Sequence, residues 1–334
     1  MDPFEKFQRL FRAKMAFPTT NSPLFESLRN ELPLTPHEQA RAERGLSTEG
    51  RFAEVFSALP WAAMIHELGQ RQLPPASKQF LQVPDYLAII KPTGIHAESA
   101  VLVETKLVSG EKITLRLQDV QLTALEAYAN IVGIPLVIGI FWERGHVWTI
   151  HTPDQFARRG KVAKIGQDRA FRHDLSIIFS ESLVDIGAGW QRRTTYDPTA
   201  EGFHVRDPVR GYIVNDYLAT TADKYVQLSE VESGIIDVMT PFTTVETYKV
   251  GQRQVVIAET PAPRVTKTSM IIEFVLERFD VFGEDSEPKK AFNTFVKLKV
   301  DAEVPTRPLL PEQTTVQVSR LFKQVFGFEW EDTE

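Results

Sequence analysis

The sequence predicts an α/β fold, because short apolar segments alternate with a segment of helical periodicity in the first half of the chain. A near-continuous apolar run at 134–142 is typical of a strand buried on both faces. The segment 118–132 repeats its apolar residues at helical spacing, and Gly133 marks its end. Together these observations indicate a sheet covered by at least one helix.

The N-terminal residues predict helices rather than strands. We expect residues 1–45 to form a helical N-terminal arm. A further helix is expected to begin near Ser47 or the threonine that follows it, since either hydroxyl can cap a helix. The buried face of that helix carries Phe52 and Phe56, whereas Glu54 lies off this face or at its edge.

Four strands and one helix are predicted between residues 86 and 150. Residues 86–90 and 100–106 predict two short strands joined by a loop. The helix at 118–132 leads into the buried strand at 134–142. A further strand is predicted at 147–150, after a turn.

The second half of the chain predicts a different kind of unit. Residues 186–210 are polar and are interpreted as a linker. Residues 211–334 are expected to form a separate α+β domain of helices and a hairpin. This region contains thirteen basic and twenty acidic residues, so its net charge is −7. We expect it to act in specificity, dimerisation or partner binding.

The composition excludes several classes of function. The 334-residue chain has no cysteine, which excludes disulfide scaffolds, Cys-ligated zinc and a Cys nucleophile. Its net charge of −6 argues against a uniformly basic nucleic-acid coat, so any such site must be local. No apolar run approaches the roughly 20 residues of a membrane-spanning helix, and no secretory signal is seen. We therefore expect a cytoplasmic protein without a membrane partner.

The residues with the clearest chemistry belong to the first two strands. Because alternate residues of a strand share a face, Glu104 and Lys106 project from the same side. If Asp85 begins the neighbouring strand, its carboxylate can converge with that of Glu104. Two hard oxygen donors at such a distance favour Mg²⁺ over zinc. Lys106 would then orient a water nucleophile or stabilise charge on a phosphoryl group.

A second candidate site is the basic segment 158–172, which carries a net charge of +5. Such a segment can bind DNA phosphates next to a catalytic face, and the alternative interpretation is an ordinary solvated surface. Its cations are Arg158, Arg159, Lys161, Lys164, Arg169 and Arg172.

One arrangement of these residues resembles a known family. Pro84-Asp85, eighteen intervening residues and Glu104-Thr105-Lys106 resemble the motif of the PD-(D/E)xK nuclease superfamily. Within it, the order of elements is most similar to the archaeal-type Holliday-junction resolvases, over about a third of the chain. The motif positions are filled here by Gly50, Glu54, Pro84, Asp85, Glu104, Lys106, Gln121 and Gly133.

The resemblance implies a restriction-endonuclease-like core at 46–185, in which helices flank a mixed central sheet. It implies a Mg²⁺-dependent DNA endonuclease, with Mn²⁺ as a substitute ion. In the family's roles, the glutamate of the first helix holds the metal or its waters, and the glutamine orients the lysine or the water. The implied catalytic residues are Glu54, Asp85, Glu104, Lys106 and Gln121, and the implied metal ligands are Asp85, Glu104, Glu54 and the Thr105 carbonyl.

Several alternatives stay open at this point. Glu54 could instead be a solvated helix residue, Gln121 could be a capping residue, and Gln118 competes with Gln121 for the same role. The enzyme could be of the restriction or defence type or could resolve junctions, and a homodimer is expected because two strands are cut. The alternative is a nuclease-fold subunit of a larger DNA-processing or defence complex, active only with a partner or non-catalytic. RNA as the substrate also fits the motif.

Overall fold

The computed structural model describes residues 35–69, 77, 80–94, 98–200, 206–221, 224–279, 289–312 and 316–327. These residues form a mixed α/β structure with several sheets. Most of the predicted N-terminal arm, residues 1–34, lies outside them. No helix among the described residues is both long and apolar enough to cross a membrane.

The α-helices occur in both halves of the described chain. Short 3-10 turns, such as the one at 176–179, connect some of the elements. The helices are α1 (Pro36–Ala58), α2 (Asp119–Val132), α3 (Gln167–Arg172), α4 (Glu230–Met239), α5 (Thr268–Phe279), α6 (Lys289–Asp301) and α7 (Val316–Phe326).

The strands fall into one group before residue 187 and a second group after it. The first group is β1 (Ala62–Glu67), β2 (Tyr86–Ile90), β3 (Ser99–Val108), β4 (Thr114–Gln118), β5 (Leu136–Trp142), β6 (Val147–His151), β7 (Ala157–Arg159), β8 (Val162–Gly166) and β9 (Ser182–Ile186). The second is β10 (Gln191–Asp197), β11 (Arg206–Asp207), β12 (Gly211–Ala219), β13 (Val226–Gln227), β14 (Thr243–Val250), β15 (Arg253–Glu259), β16 (Arg264–Lys267) and β17 (Thr306–Pro308).

The central sheet has the order β1-β2-β3-β5-β6. It is mixed, because β3 and β5 run parallel while the other neighbouring pairs are antiparallel. All seven residues of β5 are buried, as the apolar run in the sequence predicts. Helix α2 supplies the crossover between β3 and β5 and ends at Gly133, which has a left-handed φ of 72°.

Two layers cover the central sheet. Val101 and Val103 of β3 pack in a cluster that includes Phe52 of α1. Leu102, on the opposite face, packs in a second cluster with Leu122 of α2. That second cluster also takes in the buried side of a small antiparallel sheet of order β4-β8-β7. Glu104 and Lys106 share the face of Leu102, which is the side covered by α2.

The N-terminal helix differs from the prediction. Helix α1 runs without a break through Ser47 and the following threonine, where a new helix was expected to begin. The predicted boundary between arm and core, after residue 45, therefore lies inside one helix. Ser47 and Thr48 are helix-interior residues, because the preceding turns also adopt helical geometry.

The predicted linker at 186–210 also needs correction. Residues 191–197 form β10, which pairs with both β12 and β15 inside a six-stranded sheet. Polar side chains of this segment are buried and paired within the sheet. The Arg192 guanidinium, for example, donates to both carboxylate oxygens of Asp216. Polar residues in a sequence usually indicate solvent exposure, but Arg192 and Asp216 are polar because they form a buried ion pair.

One hydrophobic cluster joins the two halves of the chain. It contains Phe52 and Trp148 from the first half together with Phe295 and Phe322 from the second. In addition, β9 of the first half pairs with β16 and β17 of the second. The predicted domain boundary thus crosses a continuous core and a shared sheet.

Candidate active site

The candidate site lies where β2 begins alongside β3. The strands are antiparallel, with Tyr86 opposite Val103, so the next pair along the ladder brings Asp85 opposite Glu104. The N–H of Leu68, just after β1, donates to the Asp85 carbonyl at 2.8 Å. This bond fixes the chain at the start of β2. The two strands therefore place both carboxylates at one point of the sheet.

Asp85 is held against β3 by two hydrogen bonds. Its Oδ2 accepts from the Thr105 N–H at 2.7 Å and from the Thr105 hydroxyl at 2.8 Å. The side chain is buried, at 9% relative exposure. Hydrogen bonds to a carboxylate favour a single orientation, so the position of Asp85 is set before any ligand arrives.

Glu104 is a buried carboxylate with one paired and one unpaired oxygen. Its Oε1 accepts from Lys106 Nζ and from Gln82 Nε2, the latter at 3.3 Å. Its Oε2 is buried and has no hydrogen-bond partner among the residues that the structure describes. Burial, together with the charge of Asp85 and against the opposing charge of Lys106, raises the pKa of Glu104 to about 8. Because a buried carboxylate oxygen without a donor is costly, this oxygen indicates a position where a ligand binds.

Lys106 supplies positive charge at the centre of this group. Its Nζ donates to Glu104 Oε1 and to the Thr105 carbonyl, the latter at 2.9 Å. Burial lowers the pKa of Lys106, but the surrounding carboxylates, led by Glu104, outweigh this effect and raise it above its ordinary value. The ammonium group therefore stays charged and lies between two oxygens that the sequence proposes as metal ligands.

The structure separates Glu54 from this group. Glu54 lines a cavity of about 160 Å³ together with Arg51 and Glu273. The acid of α1 whose charge acts on Glu104 and Lys106 is Glu49, which raises the pKa of both. Positions five residues apart on a helix differ by about 140° around its axis, so the two acids point in different directions.

A signal for Glu49 was present in the sequence. Glu49 precedes Phe52 by three residues and Phe56 by seven, so it extends the stripe of α1 that faces the core. Both phenylalanines are fully buried. The helical stripe therefore points to Glu49, whereas the motif spacing from Gly50 pointed to Glu54.

The glutamine contact also differs from the expectation. Gln121 lies in the first turn of α2 and is half-buried, and within the described residues its side chain makes no hydrogen bond to Lys106. Gln82 instead contacts Glu104, and its backbone N–H donates to the Ala124 carbonyl of α2 at 3.2 Å. Gln82 precedes β2 in a segment without regular periodicity, so no pattern in the sequence singled it out.

The basic segment is divided between two faces of the small sheet. All six predicted cations are exposed. Arg158, however, forms ion pairs with Asp119 at 3.5 Å and with Glu126 at 2.5 Å, both in α2. Lys164 and Arg159 lie on the strands β8 and β7 without such partners in the described part of the chain. These cations are therefore not equivalent.

The candidate site offers several oxygen atoms that could bind the predicted metal ion. Among the described residues, no three His, Asp or Glu side chains form a group that could hold a metal ion. Mg²⁺ usually takes only one or two protein carboxylates and completes its shell with water and phosphate. Asp85, the unpaired Glu104 Oε2 and the Thr105 carbonyl are hard oxygen donors of that kind. The donor chemistry thus fits Mg²⁺ or Mn²⁺ bound together with a phosphate substrate.

Comparisons with known proteins find similarity among solved structures. No protein-family model and no curated protein matches the chain. Among solved structures, the chain is similar to Hjc, a Holliday junction resolvase from the archaeal hyperthermophile Archaeoglobus fulgidus, at 16% sequence identity and a TM-score of 0.31. The match covers 41% of this chain and 96% of that one.

Proposed function

We propose that this chain is a Mg²⁺-dependent phosphodiesterase that cuts DNA as a homodimer. The proposal is supported above all by Glu104, whose buried Oε2 lacks a partner in the described structure while Asp85 and Lys106 lie beside it. A buried carboxylate oxygen without a hydrogen-bond donor can accept a cation, and Asp85 supplies a second hard oxygen beside it.

Asp85, Glu104 and the Thr105 carbonyl would hold the ion. When bound, Mg²⁺ neutralises phosphate charge and lowers the pKa of a ligated water. Burial and Asp85 raise the pKa of Glu104 to about 8, so they disfavour its charged form in the free protein. A bound cation would stabilise the charged form and lower this pKa.

The remaining residues orient the reacting groups. Lys106, which stays charged, stabilises the negative charge that grows on the phosphoryl oxygens or orients the attacking water. Gln82 fixes Glu104 Oε1 through its amide. Glu49 lies within electrostatic range of Glu104, and we propose that it holds water on the metal side of the site.

The direct test is cleavage by the purified full-length chain. Supercoiled plasmid, linear duplex and a four-way junction are incubated with Mg²⁺ or with chelator. We expect cleavage only with Mg²⁺, and the substrate preferred distinguishes a junction-resolving enzyme from a restriction or defence enzyme. Asp85→Asn and Glu104→Gln should each lower the rate roughly 100-fold or more, since each removes a charged ligand. Equal rates for wild type and both variants would contradict the proposal.

Glu49 and Glu54 provide a matched pair within one helix. Glu49→Gln should lower the cleavage rate, because this charge acts on Glu104 and Lys106. Glu54→Gln removes the same charge from α1 and should leave the rate within about twofold of wild type, as expected for a surface substitution. The reverse outcome would restore Glu54 to the role that the motif spacing predicts.

A further inference from the structure

We propose that the exposed face of the small sheet β4-β8-β7 binds the sugar-phosphate backbone of DNA through Arg116, Lys164 and Arg159. The choice of DNA as the polymer rests on the proposed function. The surface itself is argued from strand register, burial and charge. Arg116 lies outside the basic segment 158–172, and only the fold brings it to that segment.

Strand register places the cations on one face. Arg116 of β4 lies directly opposite Lys164 of β8. Both are exposed, whereas their neighbours Leu115 and Leu117 are buried on the other face, at 6% and 7% exposure. Arg159 of β7 pairs with Val162 of β8, two residues from Lys164, so it belongs to the same face.

Within the described residues, the three cations of this face have no ion-pair partner. Like charges directly opposite each other on neighbouring strands destabilise a sheet. Arg116 and Lys164 are such a pair, and neither makes an ion pair within the described ranges. With strands about 4.8 Å apart and a rise of about 3.4 Å per residue, the backbone positions of the three cations lie within roughly 12 Å of one another. A polyanion laid across the face would offset this repulsion.

Arg158, the neighbour of Arg159 in β7, differs from these cations because it has acidic partners. It is opposite the fully buried Ala163 and turns toward α2, where Asp119 and Glu126 pair with it. Its guanidinium therefore anchors β7 to α2 and is not available for phosphate. Because successive side chains of a strand point to opposite faces, Arg158 pairs with α2 and Arg159 lies on the exposed basic face.

The basic face adjoins the candidate active site through α2. Strand β4 ends at Gln118, and α2 begins at the next residue. Ala124 lies about 9 Å further along that helix, and its carbonyl accepts from the N–H of Gln82. The Gln82 side chain in turn contacts Glu104. Helix α2 therefore connects the basic face to the residues that contact the carboxylates.

The test measures binding to a labelled DNA duplex in chelator, across a series of salt concentrations, so that cleavage plays no part. The variant is Arg116→Gln/Lys164→Gln. Each phosphate contact contributes about 0.9 to the slope of log affinity against log salt, so this variant should lower the slope by about 1.8. The swap Arg116→Lys/Lys164→Arg keeps both charges and should keep the slope.

A control variant carries the same change in net charge elsewhere. Lys289→Gln/Lys290→Gln removes two exposed lysines at the start of α6 and should leave the slope unchanged. Identical slopes for wild type and Arg116→Gln/Lys164→Gln would overturn the proposal, as would an equal loss in the Lys289→Gln/Lys290→Gln control. Tighter binding to duplex RNA than to DNA would overturn DNA as the polymer. Loss of cleavage by Glu104→Gln with normal binding tests the active site separately.

Discussion

At the scale of single residues, His151 shows how the fold sets the protonation of a side chain. Its Nδ1 lies 2.8 Å from Gln155 Oε1, which can only accept, so Nδ1 carries the hydrogen. Its Nε2 is buried and has no hydrogen-bond partner in the described ranges. Burial lowers the pKa of His151 to about 4, although Asp174 opposes this effect. The imidazole is therefore neutral at pH 7.

This shift predicts a dependence of stability on pH. The unfolded chain takes up the proton near pH 6.5, whereas the folded protein resists it down to about pH 4. Stability from His151 is therefore present above pH 6.5 and is lost as the pH falls to 4, by about 3 kcal/mol in total. Urea unfolding of wild type and His151→Asn at several pH values measures this slope.

The Asn variant should unfold with a shallower pH dependence between 6.5 and 4, because Asn does not titrate. His66→Asn serves as the control, since His66 is exposed on β1 and its loss should leave the slope unchanged. Equal slopes for wild type and His151→Asn would show that other groups cause the acid sensitivity.

At the scale of elements, the contact between α1 and β5 depends on a glycine. A Cβ at Gly139 would lie 3.2 Å from the ring of Phe52. That ring is fully buried, stacks on Phe56 with centroids 4.4 Å apart, and meets Trp148 edge-on. A side chain at this position would require the Phe52 ring to shift, so Gly139 allows the helix to lie close to the sheet.

Two glycine substitutions should therefore have opposite effects. Gly139→Val should lower the free energy of unfolding by about 1–3 kcal/mol, because it overpacks a rigid core. Gly50→Ala adds a methyl group where nothing lies within 4 Å, and should raise it by about 0.5–1 kcal/mol through helix propensity. Chemical denaturation of both variants checks the signs, and a neutral Gly139→Val would mean that Phe52 can move.

At the scale of the whole molecule, a buried lysine joins the two halves of the chain. Lys267 of β16 donates to the Trp148 carbonyl and, at 2.7 Å, to Asp174 of the first half. Glu181 Oε2 lies 3.7 Å from the same Nζ. Together with the continuous hydrophobic cluster, these contacts predict that the described parts unfold cooperatively.

Removal of this charge should destabilise the protein strongly. Lys267→Met leaves Asp174 and Glu181 without their buried cation and should cost about 3–5 kcal/mol of unfolding free energy. Lys224→Met is the control, because it breaks an exposed pair with Glu303 and should cost less than about 1 kcal/mol. Equal small losses in the two variants would contradict a structural role for Lys267.

Periodicity in the sequence predicted the elements around the candidate site. The strands predicted at 86–90, 100–106 and 134–142 and the helix ending at Gly133 occur as β2, β3, β5 and α2, with strand ends that differ by at most two residues. The order Asp85, Glu104, Lys106 was also readable, since neighbouring antiparallel strands and period-two alternation suffice to place the three together. The spacing from Gly50 predicts Glu54 as the acid of the first helix, whereas the helical stripe points to Glu49, whose charge acts on Glu104 and Lys106.

The sequence by itself determined the α/β class, the strands β2, β3, β5 and β6 with helix α2, and the proximity of Asp85, Glu104 and Lys106, because these follow from local periodicity. Only the tertiary structure decided that Gln82 contacts Glu104, that Arg116 meets Lys164 and that β10 replaces a linker. Each of these depends on residues far apart in the chain. A polar segment is usually exposed, but 191–197 is a strand of a sheet because its polar side chains find buried partners on other strands. Those partners, and hence the strand, are known only from the tertiary structure.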